Sequence, residues 1–191
     1  MKTKSKLSTK ELVMAALFTA LTAIGAFIQI PVPFMDYFTL QFLFVVLAGL
    51  LMGPRLGAVS VGAYVALGLV GFPVFAAGGG IQYIFRPSFG YLLGFIVAAF
   101  VAGKLVQRDA EPSFRQYLAA AFSAMAVTYL IGFAYKYMIL NFYTNEPTSI
   151  LTIALASLPL DIPGDAVLCV AAAGLAGRLR HALKLTEVQA G

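Results

Sequence analysis

Arg86 and Lys136 are cations set among aromatic and apolar neighbours, in Tyr83-Ile84-Phe85-Arg86-Pro87 and Tyr135-Lys136-Tyr137. A guanidinium offers paired N–H donors that match a carboxylate, and an ammonium offers a compact positive charge. Either chemistry suits the anionic end of a small ligand. Arg86 has a second reading, as a helix-end side chain reaching lipid headgroups. Lys136 also has one, as the internal partner of Asp161 or Asp165. Those two carboxylates lie in Asp161-Ile162-Pro163-Gly164-Asp165, at the expected start of the last helix. Asp161 fits a capping role against unpaired backbone N–H groups. Asp165, expected within the first helical turn, suits an amide or cyclic-urea N–H donor, a second cap or an ion pair. Gln41, near the start of an apolar run, is a further polar candidate, for a ligand or for a neighbouring helix.

Around these groups the sequence gathers rings and irregular backbone. Phe34, Phe75, Tyr83 and Tyr91 belong to a cluster of aromatics that flanks Gly78-Gly79-Gly80. Three consecutive glycines predict a loop, with Gly79 at its centre. Single rings there are accounted for by an interfacial belt. Their coincidence with non-helical backbone points further, because irregular backbone at membrane depth is tolerated only where it is buried in protein or lines a cavity.

The elements that must position these residues follow from composition. The chain has 191 residues, 61% hydrophobic and 11% charged, with a mean hydropathy of +0.90. Soluble domains carry roughly 25% charged residues. Long apolar runs without period-2 alternation predict helices rather than a barrel. The expectation is an all-α integral membrane protein with spans over 11–29, 39–52, 56–70, 87–102, 116–140 and 163–179, in a single domain covering 1–191. Ile150 to Leu158 is too short to cross about 30 Å of hydrocarbon and reads as re-entrant or interfacial. Prolines and glycines at 31, 33, 53, 54, 71 and 73 punctuate the runs. The N-terminus resembles a signal-peptide n-region, but no clean cleavage site follows, so the first apolar run reads as a retained helix.

Six spans place both termini on one side, with eleven of the thirteen Lys and Arg residues. The positive-inside rule makes that side cytoplasmic and leaves Arg86 and Lys136 on the extracellular side. The ligand site is therefore expected there, in a cell membrane that is most simply a bacterial plasma membrane. The net charge of +5 is dispersed at helix ends, which suits orientation and membrane lipid rather than nucleic acid.

Absent motifs narrow the chemistry. There is no phosphate-binding Gly-x-x-x-x-Gly-Lys-Ser/Thr loop and no His-Glu-x-x-His. Asp161 and Asp165 are four residues apart on one segment, which argues against an intramembrane aspartyl protease. The lone Cys169 and lone His181 make no metal site, and Cys169 reads as a buried packing residue. The chain is expected not to be an enzyme and to need no cofactor or metal. On the first helix, Ala16 and Ala20 form a small-xxx-small pair, for packing within the chain or for docking a partner subunit.

Several ordered motifs resemble one family. They are Pro31-Val32-Pro33-Phe34, Thr39-Leu40-Gln41 and Leu47-Ala48-Gly49-Leu50-Leu51-Met52-Gly53-Pro54-Arg55-Leu56-Gly57-Ala58. Further on come Tyr64, Gly68, Gly71-Phe72-Pro73-Val74-Phe75, Pro87-Ser88-Phe89-Gly90-Tyr91-Leu92-Leu93-Gly94-Phe95 and Pro163-Gly164-Asp165. Together they resemble the BioY family, the biotin-specific substrate-binding subunits of energy-coupling factor transporters, across most of the chain. The resemblance implies high-affinity biotin binding at the outer face. It also implies docking on a transmembrane coupling subunit driven by two cytoplasmic ATPases, with Ala16 and Ala20 as the docking motif. Alternatives are a subunit for another small vitamin or carboxylate, or a self-sufficient facilitator. One departure stands out: many relatives carry a lysine three residues after Pro-Gly-Asp, where this chain has Leu168. Arg86 or Lys136 then remains as the carboxylate partner.

Overall fold

A computed structural model describes residues 8–30, 38–107, 109, 111–157 and 161–183. Helix α1 spans Thr9–Phe27, with Ser8 and Glu11 forming a reciprocal capping box at its start. Each of these side chains satisfies the other's backbone N–H, which closes the helix entry. A two-residue antiparallel ladder follows, pairing β1 (Gln29–Ile30) with β2 (Phe38–Thr39). The chain continues through α2 (Gln41–Val70), a 3₁₀ turn (Ile81–Phe85), α3 (Phe89–Val106) and α4 (Phe114–Met138). A π turn (Ile139–Tyr143) extends α4, and α5 (Ile150–Ser157) and α6 (Asp161–Ala182) complete the described chain.

Among the described residues five helices are long and apolar enough to cross a membrane. The expected spans over 39–52 and 56–70 both fall within α2, which is not straight. Gly53 adopts φ 79° and ψ 178°, and Pro54 follows it. A positive φ of this kind suits glycine, and proline cannot continue the preceding hydrogen-bond ladder. The result is a reversal. A Cβ placed on Gly57 would come within 2.8 Å of the Gly49 Cα, whereas eight residues of straight helix separate such atoms by about 12 Å. The two arms of α2 therefore lie against each other. Substituents on Gly49 and Gly103 would fall on the backbone of Ala99 and of Gly53–Pro54 respectively, so α3 seats directly in this elbow.

The core lies among α2, α3, α4 and α6, and alanine builds much of it. Ala98, Ala99 and Ala102 on α3, Ala120, Ala121 and Ala124 on α4, and Ala172, Ala173 and Ala176 on α6 are all buried. Small residues let helix backbones approach closely where hydrocarbon supplies no hydrophobic drive. Helix α1 buries little beyond Phe18, Thr22, Gly25 and Ala26. Lys10 donates from Nζ to the Leu183 carbonyl at 3.3 Å, so the start of the first helix and the end of the last lie at the same end of the bundle.

The elements differ in detail from expectation. Pro87 precedes the Ser88 N-cap instead of occupying the first turn of α3. Helix α4 runs on as a π turn to Tyr143, so the polar connection begins later than Asn141. The segment from Ile150 does form a helix, eight residues or about 12 Å long. Asp161 is the first residue of α6, and Asp165 is its fifth, one turn deeper than the first-turn placement expected of it.

Candidate functional site

A cavity of about 690 Å³ opens where the starts of α2, α3 and α6 and the end of α4 meet the 3₁₀ turn and α5. Its wall brings together Gln41, Tyr83, Arg86, Tyr91, Lys136, Asp161 and Asp165, seven residues that the sequence scatters over more than a hundred positions. Phe38, Phe42, Phe95 and Ala156 add apolar surface, and Tyr129 adds a hydroxyl.

The 3₁₀ turn is held from several sides. Gly80 donates its N–H to the Gly68 carbonyl at 2.7 Å, docking the glycine run onto the end of α2. A Cβ on Gly79 would fall on the Phe72 carbonyl oxygen, so that close approach requires glycine. The Tyr135 hydroxyl donates to the Ile84 carbonyl and ties the turn to α4. Gln29 Nε2 donates to the Ala76 carbonyl at 2.7 Å and ties the loop to the end of α1. The turn so fixed presents the Tyr83 ring, with the Arg86 guanidinium carbon 5.3 Å from its centroid. A cation over an aromatic face is held by the ring quadrupole.

Depth in the cavity follows from helix direction. Helix α4 ends at the cavity, so Lys136 near its C-terminus lies two turns, about 10 Å, beyond Tyr129 on the same face. Helix α6 begins there at Asp161, so Asp165 lies about 6 Å farther into the bundle. Cations therefore stand at the mouth, beside Asp161, while Tyr129 and Asp165 meet farther in. There the Tyr129 hydroxyl donates to Asp165 Oδ2 at 2.8 Å. The Tyr91 and Tyr129 rings meet edge to face at 5.9 Å. Gln41 is 4% exposed; its side chain is a neighbour of the Tyr64 hydroxyl, but Nε2 makes no hydrogen bond of normal geometry among the described residues. A buried amide left so is costly without a partner, and a ligand acceptor would supply one.

Two further sequence candidates lie outside the cavity wall. Phe75 is 1% exposed and stands behind Tyr83, ring centroids 4.6 Å apart, rather than in the cavity wall. Gly79 acts through backbone packing and does not line the cavity. Phe34 lies outside the described residues. Ala16 and Ala20 line a second concavity, between α1 and the second arm of α2. Tyr129 is the residue that sequence reasoning missed. Its seven-residue spacing from Lys136 was the available signal, since residues two turns apart share a helix face.

Helices long and apolar enough to span a membrane, packed around a cavity with two-ended polarity, suit a membrane protein that holds a small ligand. The BioY family model matches residues 1–185, and the chain belongs to the BioY family. It is 42% identical over 188 residues to the probable biotin transporter BioY of Lysinibacillus sphaericus, covering 95% of each chain. It is 41% identical over 141 residues to the biotin transporter BioY of Thermotoga maritima, covering 72% of this chain and 78% of that one. Its structure is similar to the crystal structure of the S-component for biotin from an ECF-type ABC transporter, with a TM-score of 0.69 at 28% identity. That match covers 92% of this chain and 95% of the other.

Proposed function

We infer that this chain is the biotin-binding S component of an energy-coupling factor importer, a multi-pass membrane subunit that binds substrate and carries out no chemistry on it. The observation that carries this reading is the two-ended cavity in a chain of the BioY family: cations at the mouth, and a carboxylate with an unpartnered amide farther in. Biotin has a matching outline, with a carboxylate tail, an apolar thiophane ring and chain, and a cyclic urea that donates N–H and accepts at its carbonyl. Sites for such ligands are mostly apolar with a few placed polar groups.

In this reading Arg86 and Lys136 receive the ligand carboxylate at the mouth, with Arg86 the stronger partner because its fork matches the anion. Asp165 accepts from the urea, and Gln41 donates to its carbonyl. Tyr83 and Tyr91 wall the apolar middle, and Asp161 borders the entrance. Phe75 supports Tyr83 from behind, and Gly79 shapes the loop. The arms of α2 each cross the bilayer, which gives six crossings in one domain over 1–191, with both termini cytoplasmic and the cavity extracellular. The Lys10–Leu183 contact and the cation asymmetry support that orientation. The face bearing Ala16 and Ala20 docks on a transmembrane coupling subunit, which two cytoplasmic ATPases drive.

Mass spectrometry of small molecules retained by the purified chain tests the ligand assignment. Biotin is the expected species; a different retained vitamin, with no response to added biotin, overturns it.

A further inference from the structure

The deep end of the cavity contains a contact that the ligand assignment alone does not require. The Tyr129 hydroxyl donates a hydrogen bond to Asp165 Oδ2 at 2.8 Å, and among the described residues this is the hydrogen bond that Asp165 receives. The ring that carries the hydroxyl is fixed by packing. It meets Tyr91 edge to face at 5.9 Å and Phe133 at 5.3 Å. Tyr91 in turn lies across Gly132, where a Cβ would come within 2.7 Å of the tyrosine ring. Tyr129 is 7% exposed, so its hydroxyl is a buried donor with one orientation and one partner.

A carboxylate has two oxygens and about four acceptor positions. With Oδ2 committed to Tyr129, Oδ1 is the oxygen left for a ligand. Phe38 lies against Gly164, whose Cβ position falls on the Phe38 ring, which brings the start of α2 beside the start of α6. Gln41, with its unpartnered buried Nε2, belongs to that start. An acceptor on α6 and a donor on α2 thus border the same end of the cavity. An N–H beside a carbonyl, as in a cyclic urea, matches that pair.

Resting on the biotin reading above, we propose that Tyr129 is a positioning residue that sets head-group specificity. Its hydroxyl holds one oxygen of Asp165 so that the other accepts a urea N–H of the ligand. Tyr129 acts through Asp165, and its removal frees the carboxylate to rotate, which blurs discrimination between N–H and N-alkyl ligands.

The test is titration calorimetry on the purified chain, freed of retained ligand, with biotin and with biotin methylated at either ureido nitrogen. Wild type should prefer biotin over at least one methylated analogue. Tyr129→Phe keeps the ring and removes the hydroxyl. It should weaken biotin about tenfold or more, the size of one lost hydrogen bond to a charged group, and shrink that preference by a similar factor. In an Asp165→Asn background the same substitution should add little. Tyr129→Met, which fills the site without a hydroxyl, replaces Tyr129→Phe if that variant is not recovered folded. Equal losses for every ligand would reduce Tyr129 to packing, and an unchanged preference would remove it from specificity; both overturn this proposal while leaving the biotin reading intact. A wild-type chain that fails to bind biotin overturns both.

Discussion

Two concavities of nearly equal size occupy this molecule. One, of about 700 Å³, lies between α1 and the second arm of α2; the other, of about 690 Å³, lies at the end of the bundle where α6 begins. Volume does not separate them, but chemistry does. The first is lined by Ala15, Ala16, Ala20, Ala23 and Ala63 with larger aliphatic neighbours. Its small polar side chains are already engaged: Thr19 donates to the Ala15 and Ser60 carbonyls at 2.9 Å, and Ser60 donates to the Ala15 carbonyl at 2.7 Å. Little hydrogen-bonding capacity remains there for a small polar molecule, and the small residues suit a closely packed helix. The second holds two cations, two carboxylates and a buried unpartnered amide. The contrast fits the proposed division of labour, a protein partner at one concavity and a ligand at the other.

That contrast can be broken in both directions. Replacing Ala16 and Ala20 together by leucine should abolish biotin uptake in cells that carry the full transporter, while the affinity of the purified chain stays unchanged. A loss of affinity in that variant would make the alanines part of internal packing. Within the polar cavity, Arg86→Ala should weaken biotin about thirtyfold, on the scale of about 2 kcal/mol for losing a hydrogen-bonded charged partner. Lys136→Ala should have a smaller effect. Calorimetry on both variants ranks them, and an unchanged affinity for Arg86→Ala rejects its role. Asp165→Asn should weaken biotin and biotin methyl ester alike, by about tenfold, because the ester changes only the other end of the ligand. A loss confined to the free acid would move Asp165 to the carboxylate end.

Much of this was legible in the sequence because it depends on local rules. Prolines and glycines punctuate the helices where their backbone demands it, and Gly53-Pro54 separates two expected spans at the point where the structure bends into an elbow. The sorting of cations picked out Arg86 and Lys136, and both line the cavity. What was not legible depends on how backbones meet. Phe75 and Gly79 sit in the right loop, but its turn sends Phe75 behind Tyr83 and presses Gly79 onto Phe72. Tyr129 shares a helix face with Lys136, yet only the packing of α4 against α6 shows that its hydroxyl meets Asp165. Spacing along one helix fixes a direction; it does not name the residue on the other side.

The elbow at Gly53 has one more consequence. The first arm of α2 delivers Gln41 and Phe42 to the ligand cavity, and the second delivers Val59, Ser60 and Ala63 to the alanine-lined groove. A single continuous segment thus carries a wall of each, joined by a pivot packed glycine to glycine with no slack. Swelling that pivot by one methyl, as in Gly49→Ala or Gly57→Ala, would tilt both walls at once. A lipid-facing position tolerates exchange of one oily side chain for another, whereas this corner is a dovetail cut to the width of a hydrogen atom.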